Sequence, residues 1–478
     1  MSEPCTPART TDFEVLPGTM GRQTFHDAAL HLARTGGADL FLSGPGFEDA
    51  HRSLVALEPV DELLLQDPAL LDRSCPGNSP ANFRAGDQDS WNRDVAQRIK
   101  DFCFNTPGPA LGWLGYELGM RLRGVPVTKP CELPLGVLRK YACLVEHDAR
   151  TGRVRCMALP SCRALVAVRE ALARNVAQHP GLELESSLKP GLRPGRKSDL
   201  KPGQEPNASL DRQAYTDAVR TVLGYIRGGH TYQLNLSLAM QTRVQGLDPL
   251  TWFGQLLYHY PAPFYVWFPM GEQRIISTSP ERFLQVRQGH VLAQPIKGTL
   301  RVAPGRPAQV AALQNSPKED AELSMIVDLL RNDISTHCRY GSVRVERHKH
   351  VFQVDDLLQM ASDVRGRLRP GSDCLDLLLD ALPGGSVTGC PKRRSMRIID
   401  ELEPHARGVY CGAFVYVQGP GDLESSIGIR TAVHNARTET LRFWAGSGIV
   451  AASDPEAEYL ETLAKAGKFL AGAHDHLA

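Results

Sequence analysis

One lysine, Lys297, lies in a sequence environment suited to covalent chemistry. It belongs to the segment QPIKGT, residues 294–299, at the end of a run that alternates in the manner of a strand from residue 291. The neighbouring proline stiffens the backbone. A lysine removed from water loses its proton more readily and can attack an electrophilic carbon. Most lysines at strand ends reach solvent instead, so Lys297 is either a fixed charge or a nucleophile.

Two predicted helices carry carboxylates that could hold a cation. The first begins at residues 316–319, SPKE, a capping box with proline at the first helical position. Its apolar stripe predicts a helix through residue 330. Glu319 falls on that stripe and Glu322 at its edge. The capping box accounts for Glu319, whereas Glu322 leans toward an apolar face and needs a partner.

The second helix begins at residues 454–455, DP, and carries Glu458, Glu461, Lys465 and Lys468 on one face. An ordinary solvated face with a Glu461–Lys465 ion pair is one interpretation. A Mg²⁺ site is the other, because this ion is held by one or two protein carboxylates together with water and an anionic substrate. One glutamate from each of the two helices would suffice.

A glycine-rich turn, PGGSVTGCPK at residues 383–392, precedes a further helix. Its backbone N–H groups and the hydroxyls of Ser386 and Thr388 could bind a carboxylate, although a flexible connector is the alternative. Cys390 stands where a Walker loop requires lysine, so ATP use is not supported. The segment AGSG at residues 445–448 is equally ambiguous.

Composition limits the possible partners. The chain has 478 residues with 54 basic and 53 acidic side chains, which argues against the broad positive field of non-specific nucleic-acid binding. Residues 1–20 lack the apolar core of a signal peptide, and no run approaches the ~20 apolar residues of a membrane span. We therefore expect a cytoplasmic protein without nucleic-acid or membrane partners. The 11 scattered cysteines fit reduced thiols better than disulfides or a zinc site.

A segment rich in proline, glycine and charge, residues 185–207, is predicted to be a linker between two parts. The first part, residues 12–184, has no compact chemical motif and is interpreted as a scaffold. The second, residues 208–472, opens with a helix that ends at Gly228 and passes into a strand over residues 232–241. Helices and strands then follow without a βαβ rhythm, which favours an α+β fold.

Seven ordered segments of the second part resemble the chorismate-utilising enzymes, a family that includes anthranilate synthase component I, isochorismate synthase, salicylate synthase and aminodeoxychorismate synthase component I. The segments are TYQLNLS at residue 231, STSPERF at 277, QPIKGT at 294, KEDAELSMIVDLLRND at 318, GGSVTGCPKRRSMRIIDELEP at 384, IGIRT at 427 and AGSGIVAASDPEAEYLET at 445. In the first part, LFLSG at residue 40 and GWLGYELG at 112 match more loosely. The resemblance implies a large α+β fold with two packed, mainly antiparallel sheets flanked by helices. It also implies chorismate as substrate and Mg²⁺ as cofactor.

Two positions distinguish the reactions of this family. Members that add water carry a lysine where this chain has Gln233, and members that make anthranilate usually have alanine where it has Lys297. Lysine in this context is similar to the members that aminate chorismate at C4, an amino-group transfer that leads to para-aminobenzoate and folate. The resemblance implies that Lys297 adds to C2 of the ring and that Glu281 protonates the departing hydroxyl. Alternatively, Glu281 merely pairs with Arg282.

The resemblance also assigns the remaining site residues. Glu322 and Glu461 would bind Mg²⁺ directly, with Glu319 and Glu458 in support. Substrate would contact Gln233, Ser386, Thr388, Tyr410, Arg430, Gly446, Gly448 and Lys465. Many relatives have a histidine where this chain has Gln359. A glutamine cannot carry a proton at pH 7, so the resemblance does not extend to a proton-transfer role there.

The nitrogen must come from outside the chain, because no Gly-x-Cys-x-Gly elbow of a glutaminase is present. The resemblance implies a separate glutaminase subunit that supplies ammonia. Ser43 matches a tryptophan-binding position found in some members. Two alternatives to C4 amination remain open: an anthranilate synthase component I that carries lysine at position 297, and a non-catalytic subunit that binds chorismate or the glutaminase and regulates a related enzyme.

Overall fold

The computed structural model describes residues 14–15, 19–45, 50–66, 88–177, 206–302, 306–354 and 357–474. The predicted linker, residues 185–207, lies outside the described residues except for its last two positions. The boundaries of the two predicted parts therefore remain predictions.

Eleven α-helices are described. They are α1 (Arg22–Gly36), α2 (Gln88–Lys100), α3 (Tyr116–Leu122), α4 (Leu165–Ala177), α5 (Arg212–Arg227), α6 (Pro249–His259), α7 (Arg306–Gln314), α8 (Pro317–Ser335), α9 (Cys374–Ala381), α10 (Lys392–Leu402) and α11 (Pro455–His474). A π-helical turn, Asp101–Asn105, follows α2, and a 3₁₀ turn, Gly385–Val387, lies between α9 and α10.

The described strands alternate irregularly with these helices. They are β1 (Glu14–Val15), β2 (Asp39–Ser43), β3 (Arg52–Leu65), β4 (Ala110–Leu114), β5 (Gly136–Asp148), β6 (Arg153–Ala158), β7 (Asn207–Ala208), β8 (Gln233–Arg243), β9 (Phe264–Met270), β10 (Gln273–Ser279), β11 (Arg282–Arg287), β12 (His290–Ala293), β13 (Ile296–Arg301), β14 (Arg344–Val354), β15 (Leu357–Arg367), β16 (Gly389–Cys390), β17 (Ala413–Gly419), β18 (Asp422–Ile427), β19 (Thr431–Asn435) and β20 (Thr440–Ile449).

Two runs of antiparallel strands meet at β5. One follows the order β6-β5-β3-β2-β9-β10-β19-β20-β8. The other follows β5-β4-β17-β18-β11-β12-β15, and β13 and β14 also pair with β15. Side chains from both runs and from the helices share one continuous apolar core. The prediction of a mixed α+β fold with mainly antiparallel sheets is confirmed.

Strands from the first part of the chain complete the sheets of the second. Leu40 of β2 pairs with Trp267 of β9, and Leu114 of β4 pairs with Ala413 of β17. Hydrogen bonds between backbones thus join segments that are hundreds of residues apart, so the site described below is supported by both parts of the chain.

Helix α5 illustrates how local sequence sets an element. The Asp211 carboxylate accepts a hydrogen bond from the Ala214 N–H at 2.8 Å and caps the N-terminus. Tyr215, Val219 and Val222 are buried on one face. The helix ends at Gly228, as the sequence predicts. Among the described residues, no helix combines the length and apolar character that crossing a bilayer demands.

Candidate functional site

Lys297 is the second residue of β13 rather than the end of the preceding strand. Residues 294–295 interrupt the extended run and separate β12 from β13. The pairing of β13 with β15 shifts register between Lys297 and Thr299. Gly298 occupies this irregularity with a φ of 71°, a conformation that favours glycine. The Lys297 ammonium nitrogen lies 3.9 Å from a carboxylate oxygen of Glu322, and both side chains are less than one-fifth exposed. Glu322 therefore has the charged partner that its position on α8 requires.

Glu319 also lies beside this bulge. The Ser316 hydroxyl accepts from the Glu319 N–H at 3.4 Å, which is one half of the predicted capping box. The Ser316 N–H donates to Leu313, however, rather than to the Glu319 carboxylate. That carboxylate packs instead on Gly298, where an added Cβ would lie 3.0 Å from its oxygen. Glycine at position 298 thus lets α8 bring a second carboxylate next to the lysine strand.

Gln233 and Gly448 lie on another side of the Lys297 amine. Gln233 begins β8 and pairs with Cys390, and Gly448 pairs with Asn235, two residues further along β8. A Cβ on Gly448 would lie 3.2 Å from the Gln233 amide nitrogen and 3.7 Å from the Lys297 amine. The absence of a side chain at Gly448 leaves space beside the amine. Gln233 is buried, and its amide oxygen has no hydrogen-bond partner among the described residues, so it can accept from a bound ligand.

Glu281 lies in the short connection between β10 and β11. It is 8% exposed, and burial raises the pKa of its carboxyl group to about 7, although the Ser386 hydroxyl and the charge of Lys297 each lower this pKa. Arg282 donates to Glu424 at 2.9 Å and to the Gln294 amide oxygen. The alternative in which Glu281 merely pairs with Arg282 is therefore not supported. A buried acid with a pKa near neutrality can give up a proton at physiological pH.

The glycine-rich turn brings Ser386 to Glu281, but Thr388 has a different role. The Thr388 hydroxyl is fully buried and donates to the Gly384 carbonyl at 2.9 Å, which closes the turn on itself. Substrate contact by Thr388, and by Ser386, stays a prediction.

A buried ion pair that the sequence analysis missed anchors this turn. Lys392, at the start of α10, donates to the Asp333 carboxylate of α8 at 2.7 Å and to the Ala381 carbonyl at 2.8 Å. Burial raises the pKa of Asp333, and Lys392 lowers it. The sequence does contain a signal for this pair, because Asp333 follows Leu330 by three residues and so places a carboxylate on the apolar stripe of α8. The helix that carries Glu319 and Glu322 is thereby tied to the turn that carries Ser386.

Three charged residues of the predicted set interact with one another: Arg430, Glu461 and Lys465. The Lys465 ammonium lies 2.6 Å from Glu461 and donates to the Gly446 carbonyl at 3.2 Å. Burial lowers the pKa of Lys465, Glu461 raises it, and Arg430 and Lys297 lower it. The Arg430 guanidinium donates to the Lys465 carbonyl. The Glu461–Lys465 pair expected of an ordinary helix face is thus present, and the charge of Lys297 acts on its lysine.

Tyr410 lies near Arg430, which together with Lys465 forms what we call the basic wall. It is buried, and its ring stacks on Trp444 of β20 with centroids 6.0 Å apart. Burial lowers the pKa of Arg430, and the nearby Tyr410 and Glu461 raise it. Gly446 lies in β20, where a Cβ would lie 2.6 Å from the Leu236 carbonyl oxygen, so a larger residue would separate β20 from β8.

The carboxylates suit Mg²⁺ in chemistry, although they do not converge as a preformed cluster. Among the described residues, no three histidine, cysteine, aspartate or glutamate side chains group as a metal site. Glu322 and Glu461 face lysines, and Glu458 is buried and accepts from the Ser453 hydroxyl at 2.6 Å. Because Mg²⁺ requires only one or two protein carboxylates, hard oxygen donors on α8 and α11 are compatible with it.

Gln359 and Ser43 are two further positions that the sequence singles out. Gln359 pairs through its backbone with Thr299 in β13, next to Met360, which pairs with Lys297. Ser43 is buried in β2, where its N–H donates to the Ser53 hydroxyl at 2.9 Å. It lines an apolar pocket with aromatic residues, among them Phe264 and Tyr416. A tryptophan site there stays a prediction.

The structure therefore brings several of the predicted residues close to one amine. Lys297 interacts electrostatically with Glu281, Glu322 and Lys465 and lies beside Gly448. A buried acid with a raised pKa, a basic wall and two neighbouring carboxylates are parts that can bind an anionic substrate and transfer a proton to a leaving group.

Comparison with known proteins gives consistent results. The family model described as chorismate binding enzyme matches residues 56–471. Aminodeoxychorismate synthase component 1 of Klebsiella aerogenes is 37% identical over 76% of this chain and 76% of its own. Anthranilate synthase component 1 of Cereibacter sphaeroides is 32% identical over 76% of this chain and 73% of its own. The crystal structure of anthranilate synthase component I from Streptococcus pneumoniae superposes with a TM-score of 0.68, at 26% identity over 89% of this chain and 93% of that one.

Proposed function

The chain belongs to the family of chorismate-binding enzymes, and we propose that it converts chorismate and ammonia to 4-amino-4-deoxychorismate and water. The observation that carries this proposal is the position of Lys297, which lies 3.9 Å from Glu322, beside the open space at Gly448. The similarity to aminodeoxychorismate synthase component 1 of Klebsiella aerogenes supports it, since that relative is more similar than the anthranilate synthase compared above.

Lys297 is the nucleophile of this reaction. Its neutral amine adds to C2 of the chorismate ring, the ring double bond shifts, and the C4–oxygen bond breaks. Glu281, with a pKa of about 7, gives its proton to the departing hydroxyl, which leaves as water. Ammonia then adds at C4, the double bond shifts back, and the lysine leaves C2 as a neutral amine. The new C4 ammonium returns one proton to the Glu281 carboxylate, which regenerates the acid. Covalent catalysis divides one difficult substitution into two easier ones.

The basic wall orients the substrate for this attack. Arg430 and Lys465 bind carboxylates of chorismate, because a guanidinium offers five N–H donors in a planar fork and an ammonium offers three. Tyr410 lies near Arg430, Gly446 lets β20 approach β8 closely, and Gly448 leaves room for the ring. The unpaired amide oxygen of Gln233 accepts a hydrogen bond from the incoming ammonia or from a substrate hydroxyl.

Glu322 and Glu461 would hold Mg²⁺, and Glu319 and Glu458 would orient water around it. Bound there, the ion would neutralise the charge of the substrate's ring carboxylate. This role accounts for carboxylates close to an anionic substrate, which they would otherwise repel.

Ammonia reaches this site from a separate glutaminase subunit. The name of the similar Klebsiella aerogenes protein, component 1, is consistent with such a division of labour. The product belongs to the synthesis of para-aminobenzoate and folate.

The test is to identify the product formed from chorismate, Mg²⁺ and ammonium by chromatography. A 4-amino product that a lyase converts to para-aminobenzoate supports the proposal. If the product is anthranilate, the chain is an anthranilate synthase component I instead. If chorismate is not consumed, the chain is a non-catalytic subunit.

A further inference from the structure

A second site lies away from Lys297, on the surface where β3, β5 and β6 meet the end of β11. A cleft of about 230 Å³ opens there. Its lining includes five arginines, which we call the arginine cleft: Arg52, Arg150, Arg153, Arg155 and Arg287. None of the residues assigned above to the reaction of chorismate lines it.

Strand register places these side chains on one face. Arg52 of β3, Asp148 of β5 and Arg153 of β6 are direct neighbours across the three strands. Glu146 and Arg155 form the adjacent row two residues along. Side chains opposite one another on neighbouring strands project from the same face. The turn after β5 adds Arg150, so positive groups surround the cleft on several sides.

The carboxylates in the lining do not balance this charge. Five arginines face two carboxylates, those of Glu146 and Asp148. Glu146 is engaged by Arg52 at 3.3 Å. Asp148 accepts from the Arg150 backbone N–H at 2.9 Å and lies 3.8 Å from its guanidinium and 3.7 Å from the His51 ring. The lining therefore carries an excess of positive charge, which attracts anions to the cleft.

Two of the arginines, Arg153 and Arg155, are directly accessible to a ligand. Arg153 and Arg155 are exposed, and neither forms an ion pair among the described residues. Arg287 has a long 3.7 Å contact to Glu424, whose oxygens also accept shorter hydrogen bonds from Arg282 at 2.9 Å and Gln285 at 2.7 Å. Glu424 is thus shared among three side chains, and Arg287 lines the cleft beside it.

We propose that the arginine cleft binds a small phosphorylated ligand through a diphosphate-like group. Guanidinium forks make paired hydrogen bonds to phosphate oxygens, which favours phosphate recognition by arginine. The convergence of several forks requires adjacent anionic groups rather than a single one. The cleft is polar and small for a drug-sized molecule, so the anionic end of the ligand fills it. Arg287 belongs to β11, so the ligand contacts both parts of the chain.

Titration calorimetry with sodium pyrophosphate tests the proposal, in buffer free of divalent metal. The variant is R153Q/R155Q, which removes two exposed guanidiniums. The matched control is R220Q/R227Q, which removes two exposed arginines from α5. Thermal unfolding of both variants checks that they fold like the unmodified chain. We expect one saturable site in the unmodified chain, the same affinity in the control, and affinity at least tenfold weaker in R153Q/R155Q.

Two other anions test whether the cleft prefers a diphosphate group. Orthophosphate, with one phosphate group, and tricarballylate, with three carboxylates, should each bind at least tenfold more weakly than pyrophosphate. Equal affinity for either would overturn the assignment to a diphosphate group. The proposal also fails if pyrophosphate shows no saturable binding or if R153Q/R155Q binds it as well as the unmodified chain does.

Discussion

Substitution of Glu281 by glutamine tests the buried acid at the centre of the reaction. Glu281 is 8% exposed, and its pKa of about 7 compares with an ordinary value of 4.5. The folded protein therefore keeps this proton to a higher pH than the unfolded chain does. Stability from this group is complete below the unfolded pKa and falls as pH rises toward the folded pKa. The difference of about 2.5 pH units corresponds to a cost of roughly 3 kcal/mol once both states are ionised.

Glutamine carries no titratable proton, so E281Q should gain stability relative to the unmodified chain as pH rises. Between pH 5 and pH 8 the difference in the free energy of unfolding should change by about 2.5 kcal/mol in favour of E281Q. Urea unfolding at both pH values, followed by fluorescence and circular dichroism, measures it. The D328N control removes one charge from a side chain that is 73% exposed, and it should shift stability by at most ~0.5 kcal/mol at either pH. An E281Q difference that is the same at pH 5 and pH 8 would refute a buried, protonated Glu281. The same variant should lose C4 amination at every pH.

Two further substitutions probe the neighbouring carboxylates and the anchor of the glycine-rich turn. E322Q should raise the Mg²⁺ concentration needed for half-maximal activity at least tenfold, because it removes a charged ligand; an unchanged metal titration would contradict this role. K392M should cost about 3–5 kcal/mol of unfolding free energy, since it leaves the Asp333 carboxylate buried without its partner. The double variant K392M/D333L should recover much of that loss, and urea unfolding that finds the two variants equally unstable would argue against a buried pair.

Regular elements with clear local signals could be predicted from the sequence. The helix before Gly228 ends where predicted, and Ser316 and Asp454 cap α8 and α11 as expected. These features depend on residues within a few positions of each other, so the sequence contains the necessary information. The break at residues 294–295 makes Lys297 part of a new strand. It lies between β12 and β13, which both pair with the distant β15, and no local pattern predicted it.

The interaction partners of buried charged side chains could not be predicted from the sequence. Arg282 turns to Glu424 and Gln294, and Lys392 reaches Asp333, over distances along the chain that no local pattern reveals. The arginine cleft likewise combines β3, β5, β6 and β11, which become neighbours only in the folded sheet. Sequence patterns identify a charged residue on an apolar face, but tertiary structure decides what neutralises it.

The central claim is that Lys297 acts as a nucleophile rather than as a fixed charge, and comparison of K297A with K297R tests it most directly. K297R keeps a positive charge but has no amine to add to C2. Both variants should bind chorismate in a calorimetric titration, and both should form the 4-amino product more slowly than the unmodified chain by orders of magnitude. Turnover by K297R close to that of the unmodified chain would show that position 297 supplies only charge, and would contradict the covalent reaction.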